Sequence, residues 1–155
     1  MKSSYNFCLM KKINLFSAFL LVLFIMGCNI SQAQKPVNWT ADQLMEPAAL
    51  AQTLKINKKV PIIISVGPGA LIPNSIDIGM VSEEKKLDKF KEEISRLPKD
   101  TSIVIYCGCC PFERCPNVRP AIDVLKKMKF TNYHLLNLPT NIKTDWISKG
   151  YPTVE

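Results

Sequence analysis

Four cysteines crowd into one short stretch, Cys107, Cys109, Cys110 and Cys115, directly after the apolar run Ser102 to Tyr106 and just before a helical pattern opened by Val118, Arg119 and Pro120. Thiolate, not thiol, is the attacking species and the metal ligand. A helix start favours it through unpaired amide donors and the positive end of the helix dipole. Ligands of open α/β sheets bind outside the carboxyl ends of strands, and Cys107 stands at such an end. Arg114 and Arg119 flank the loop and can hold an anion beside a thiolate, with Arg119, at the helix opening, the better placed of the two. The same four thiols, Cys107, Cys109, Cys110 and Cys115, form an alternative ligand set for a soft ion, zinc or Cu(I). A structural zinc site usually draws two pairs of ligands from two segments. This chain offers one segment, which favours Cu(I), an ion satisfied by two or three thiolates. Local disulfides, Cys107 or Cys110 with Cys115, are the simplest use of these residues. Adjacent Cys109 and Cys110 do not pair with each other, because so small a ring strains the disulfide.

The elements that must position this loop follow from hydrophobic patterning. Val60 to Val66 is an unbroken, mostly β-branched run bounded by Gly67-Pro68-Gly69, which reads as a strand buried on both faces. Ile103 to Tyr106 is a second such strand and Tyr133 to Leu138 a third, with a short one at Ser75 to Ile78. Thr40 to Gln43 has capping-box spacing ahead of Leu44, Leu50 and Leu54, and Pro47 restarts a helical turn there. Ser82 opens a helix whose inner stripe is Leu87, Phe90, Ile94 and Leu97, closed by Pro98. Ile122, Leu125 and Met128 stripe the helix after the cysteine loop. Thr140 or Asn141 caps a last helix that carries Trp146 and Ile147 and ends at Gly150. Strands alternating with helices predict an α/β three-layer sandwich, a central, mainly parallel sheet flanked by helices. Tyr106 is expected on the opposite side of the sheet from Cys107. Trp39 and Trp146 are expected to cover the core, and His134, the sole histidine, to be a structural residue.

Lys11 and Lys12 precede the apolar stretch Ile13 to Met26, and small and polar residues follow, as in a secretory signal over residues 1–33. Cleavage after Ala33 makes Gln34 the new N-terminus. The competing expectation is a lipoprotein signal ending before Cys28, which is then lipidated. Either leads out of the cytoplasm, to the periplasm or the exterior, with membrane attachment only through Cys28. Residues 34–155 then form a single domain. Loss of Lys2, Lys11 and Lys12 takes the basic count from 20 to 17 against 13 acids and the formal charge from +7 to +4. The basic residues are interspersed with acids, so the chain offers no nucleic-acid stripe. With Cys8 and Cys28 removed, the remaining cysteines all lie in the one loop, which cannot tie distant segments together as a disulfide framework does.

The chain resembles the rhodanese-like sulfurtransferases. The resemblance lies in the strand Ile103-Val104-Ile105-Tyr106 ending in Cys107, the arginine-bearing loop, the helix Ala121 to Met128 with Phe130, and the strand Tyr133 to Leu138. It extends to Asn141, Trp146, Gly150, Tyr151, Pro152 and Val154 in the tail, and upstream to Ile62 through Val66 and the Ile72-Pro73-Asn74-Ser75 turn. It implies sulfane-sulfur transfer without a cofactor, from a small sulfur-containing anion such as thiosulfate to cyanide or a protein thiol, through a cysteine persulfide. Cys107 matches the nucleophile by position. Counting from Cys109 to Arg114 restores the family's loop spacing, so Cys109 is the rival. Arg114 and Arg119 would bind the donor, and Cys109, Cys110 and Cys115 would be exchange partners or disulfide braces. The pattern also departs from the family. Ser65-Val66-Gly67 stands where Asp-Val-Arg is usual, Leu71 stands in place of a histidine, and the loop is longer. An inactive rhodanese scaffold serving as a thiol redox or soft-metal carrier is the alternative expectation.

Overall fold

The two longest β-branched runs become neighbours at the centre of a sheet, because strands apolar on both faces are stable only where both faces are covered. The computed structural model describes residues 39–154, and the expected signal over residues 1–33, the cleavage point after Ala33 and Cys28 lie outside the described residues. Strands β1 (Leu44–Met45), β2 (Ile62–Ser65), β3 (Ser75–Asp77), β4 (Ile103–Tyr106) and β5 (Tyr133–Leu136) form one sheet in the order β1-β5-β4-β2-β3, every pairing parallel. Helices α1 (Pro47–Ile56), α2 (Glu84–Ser95), α3 (Val118–Lys127) and α4 (Ile142–Asp145) flank it. The architecture is the α/β three-layer sandwich that the patterning predicts, with a sheet that is wholly rather than mainly parallel.

Side chains alternate across the sheet, as the two-residue period of a strand requires. Ile64, Val66, Ile103, Ile105 and Cys107 enter a core shared with Phe90 and Ile94 of α2 and with Ala121, Ile122 and Leu125 of α3. Ile63, Val104, Tyr106 and Leu136 enter a second core with Leu50 of α1, Ile142 of α4 and Trp146. Tyr106 and Cys107 thus leave the sheet on opposite faces, as expected.

The helical turns expected around the capping box and Pro47 are a 3-10 turn, Ala41–Gln43, and helix α1, and strand β1 separates them. Thr40 N donates to Gln43 Oε1 at 3.0 Å, but Pro47 disfavours helical backbone at Glu46, so Leu44 and Met45 extend and pair with Leu135 and Leu136. Helix α2 starts at Glu84 with Glu83 as its cap residue, not at Ser82, because the Ser82 amide donates to Asn117 Oδ1 at 3.0 Å and is held in the preceding turn. The last helix is broken: α4 is capped by Asn141, whose side chain accepts from Thr144 N, and a 3-10 turn, Ile147–Lys149, carries the chain to Gly150 at φ 69°.

Trp146 is fully buried, donates from Nε1 to Pro152 O at 2.7 Å, and meets Tyr151 edge to face at 5.2 Å. Beyond it, Val154 N donates to Leu71 O, so the tail closes over the segment that follows β2. His134 is half-buried on β5 opposite Val104, and its Nδ1 and the indole nitrogen of Trp39 are buried without partners. Among the described residues no helix is long and apolar enough to cross a membrane.

Tyr106 also works at its hydroxyl, which accepts from Leu71 N at 3.1 Å and Ile72 N at 3.3 Å and donates to Ser75 Oγ at 3.3 Å. Tyr106→Phe strips two inward amides of their acceptor. The expected cost is about 2 kcal/mol of unfolding free energy, read by chemical denaturation.

Candidate functional site

The parallel register of β2 and β4 builds the floor of the cysteine loop. Ser65 lies opposite Tyr106, Val66 N donates to Tyr106 O at 2.9 Å, and the next residues on the two strands are Gly67 and Cys107. A Cβ added to Gly67 would stand 2.5 Å from Cys107 Sγ, so only glycine leaves room for that sulfur. Gly108 is pinned as well. Its carbonyl accepts from Ile142 N at 2.9 Å and its Cα lies so close to Ile142 that a Cβ would sit 3.0 Å from that side chain. Further round, Phe112 N donates to Leu138 O, and a 3-10 turn, Phe112–Arg114, delivers Cys115 beneath the start of α3.

All four cysteines are free thiols, and they lie together. Cys107 Sγ is 3.4 Å from Cys109 Sγ, and the Cys109 thiol donates to Cys110 Sγ at 3.3 Å. The sulfurs of Cys107, Cys109 and Cys110 fall within 4.8 Å of one another. Cys115 lies outside that trio, yet near enough to Cys107 and Cys110 for the three to influence one another's acidity. Cys107 and Cys115 are buried, Cys110 is half-buried and Cys109 is exposed.

Acidity is unequal across the cluster. Cys115 is drawn down from the ordinary thiol value of 9.0 to about 5, first by the hydrogen bond from the Cys107 thiol, and further by the backbone amides of Asn117 and Val118 at the start of α3, against an opposing effect of burial. Its partner Cys107 is pushed up, chiefly because it is the donor to Cys115, and also by burial. The two titrate as a pair, with Cys115 the member favoured in the charged form. Cys110 is pushed up to about 12, by burial first and then by its contacts with Cys109 and Cys115. The helix start therefore does stabilise a thiolate, and the sulfur it stabilises is Cys115.

Asn117 ties the site to the neighbouring elements. It is the N-cap residue of α3, yet its buried side chain makes no cap bond. Its carbonyl oxygen accepts from Ser82 N, and its amide points at Cys107 Sγ at 3.7 Å. The sequence patterning does not single out Asn117 as a site residue, and Gly67 reads there only as part of a turn. An asparagine immediately before a helical pattern, and a glycine one residue past a buried strand, are the signals that could have found them.

The arginines stand apart from the sulfurs. Arg119 is exposed and donates to Glu113 O at 3.4 Å, and Arg114 is exposed on the 3-10 turn. Among the described residues neither guanidinium bonds a sulfur, and the largest influences on the thiols are other thiols, burial and backbone amides. Two surface cavities lie away from the cysteines. One of about 440 Å³ is lined by Lys91, Glu92, Ser95, Val124, Lys127 and Met128, and one of about 230 Å³ lies where Glu46, Asn137, Asp145 and Tyr151 converge.

No protein-family model and no curated protein sequence matches the chain. Among solved structures it is similar to a protein from Lactobacillus plantarum, a structural-genomics target, with 12% identity over 94% of this chain and 98% of that one and a TM-score of 0.54. That likeness is one of fold.

Two outcomes are expected from this geometry. Gly67→Ala forces Cys107 Sγ out of its seat and costs about 1–3 kcal/mol of stability by overpacking, read by denaturation. The second concerns pH. Cys115 is ionised in the folded chain and protonated in the unfolded chain between about pH 5 and pH 9, so the folded state binds fewer protons and stability rises with pH across that window. The contribution is lost as pH falls through about 5. Cys107, shifted upward, lowers stability only above the ordinary thiol range and does not cancel the rise below it. Cys115→Ser should flatten the dependence of denaturation midpoint on pH over this window, together with the thiolate ultraviolet absorbance that accompanies it.

Proposed function

We propose that this protein is a rhodanese-like sulfurtransferase that takes up sulfane sulfur on its cysteine loop and passes it to a thiol or cyanide. The observation that carries the reading is an exposed thiol, Cys109, in contact with two further thiols at the carboxyl end of a parallel strand. The order of strand, cysteine loop and helix that prompted the resemblance supports it too.

Of the two candidate nucleophiles, exposure favours Cys109 for the first attack. Cys107, which matches the family position, is buried against Gly67 and retains its proton. In uptake, the Cys109 thiolate attacks the outer sulfur of thiosulfate, the sulfur–sulfur bond breaks and sulfite departs. In delivery, cyanide or an acceptor thiolate attacks the outer sulfur of the persulfide, and the Cys109 thiolate leaves. Cys107, Cys110 and Cys115 are exchange partners: a neighbouring thiolate that attacks the bridging sulfur expels hydrosulfide and leaves an internal disulfide. Arg114 on the 3-10 turn and Arg119 in the first turn of α3, both exposed, supply positive charge near the loop for an incoming anion. Export to the periplasm or exterior, with attachment through Cys28 if that residue is lipidated, belongs to the same reading.

Thiosulfate-dependent thiocyanate release tests it. The wild type should release thiocyanate, Cys109→Ser should fall to the protein-free background, and Cys107→Ser should retain measurable uptake. If Cys107→Ser alone abolishes release, the nucleophile is Cys107. If the wild type releases none and its intact mass shows only loss of hydrogens, the loop is a thiol redox module and the transferase reading fails.

A further inference from the structure

Three sulfurs arranged around a common centre offer a second chemistry that does not depend on sulfur transfer. A metal held trigonally at a metal–sulfur distance near 2.3 Å has its ligand atoms about 4.0 Å apart. Cys107 and Cys109 stand at 3.4 Å and Cys109 and Cys110 at 3.3 Å, with all three sulfurs inside 4.8 Å. Each near pair has to open by about 0.6–0.7 Å, less than a rotamer change requires. We propose that Cys107, Cys109 and Cys110 form a site for one Cu(I) ion.

The ligand set argues for a soft ion of low coordination number. It holds thiols alone, and the single histidine lies away on β5. Zinc asks for a fourth, tetrahedral ligand, and the fourth sulfur, Cys115, lies outside the trio. Cu(I) is complete with three thiolates. The loop is also preorganised. Gly108, between two of the ligands, is fixed by Ile142, and Cys107 is seated against Gly67, so little ordering is left for the ion to impose. Burial is graded from Cys107 through Cys110 to Cys109, which leaves one side of the site open to solvent. An ion held there is reachable by a second set of thiolates, so the site suits transfer of copper rather than permanent storage.

The test is a titration of the fully reduced protein with Cu(I) under anaerobic conditions against a chromophoric Cu(I) chelator. One equivalent should be withdrawn from the chelator, with a thiolate-to-copper charge-transfer band. Cys109→Ser and Cys110→Ser should each weaken binding by at least about tenfold, and Cys115→Ser by much less. A Cys109→Ser/Cys110→Ser double variant keeps every other cysteine, Cys8 and Cys28 included, and so serves as the internal blank. Equal affinity in the wild type and the double variant overturns the proposal. So does a wild type that takes zinc but leaves copper on the chelator, or one in which only Cys115→Ser loses the ion. Because the readout is copper and not thiocyanate, its failure leaves the transferase reading standing, and the reverse holds as well.

Discussion

The cysteine loop depends on the parallel register of β2 and β4. Parallel strands bring their carboxyl ends out on the same edge, so fixing Ser65 opposite Tyr106 also sets Gly67 against Cys107. A slip of one residue would turn every side chain of β2 to the other face. Ile64 and Val66 would then leave one core and Ile63 the other, and a side-chain-bearing residue would meet the Cys107 sulfur. Register is thus guarded by burial on both faces, and the site inherits its precision from the cores.

Within the loop, the two properties a reactive thiol needs are divided between different residues. Access belongs to Cys109 and negative charge to Cys115, with Cys107 in contact with both. The division follows from where amides point. The backbone amides of Asn117 and Val118 at the start of α3 lower the pKa of Cys115, which is buried, so a thiolate there is shielded from dissolved electrophiles. A buried thiolate of low pKa is a weak attacker but a good leaving group in exchange. Cys115 is therefore better suited to trading bonds with its neighbours than to meeting a substrate.

Much of the fold was legible because the runs at Ile62 to Ser65 and Ile103 to Tyr106 are β-branched and uninterrupted, and because the stripe of α2 keeps helical spacing. What escaped was short or relational. Leu44–Met45 is too brief to display a period, and its pairing with β5 is a tertiary fact. Asn117 has the residue type and position of a helix cap, and nothing local reveals that its side chain bonds Ser82 and Cys107 instead. Gly67 reads as part of a turn, and the value of its missing Cβ appears only when β4 lies beside it. The cysteines were found by spacing, but their ranking by acidity was not, since that depends on amide directions no sequence pattern encodes.

The departures from the rhodanese pattern acquire a common physical sense. Where that family usually has an acid, an arginine and a histidine around the end of the first core strand, this chain has Ser65, Gly67 and Leu71. Ser65, in the position of the acid, spends its hydroxyl on Gly69 O at 2.7 Å. Removing the side chain at Gly67 makes the space that Cys107 fills, and removing charge from beneath the loop leaves backbone amides and neighbouring thiols to set the acidity of each sulfur. An arginine at position 67 would need the volume that the Cys107 sulfur occupies. The glycine and the crowded cysteine loop are therefore one physical unit, in which backbone amides and neighbouring thiols rather than side chains of the sheet set the acidity of each sulfur.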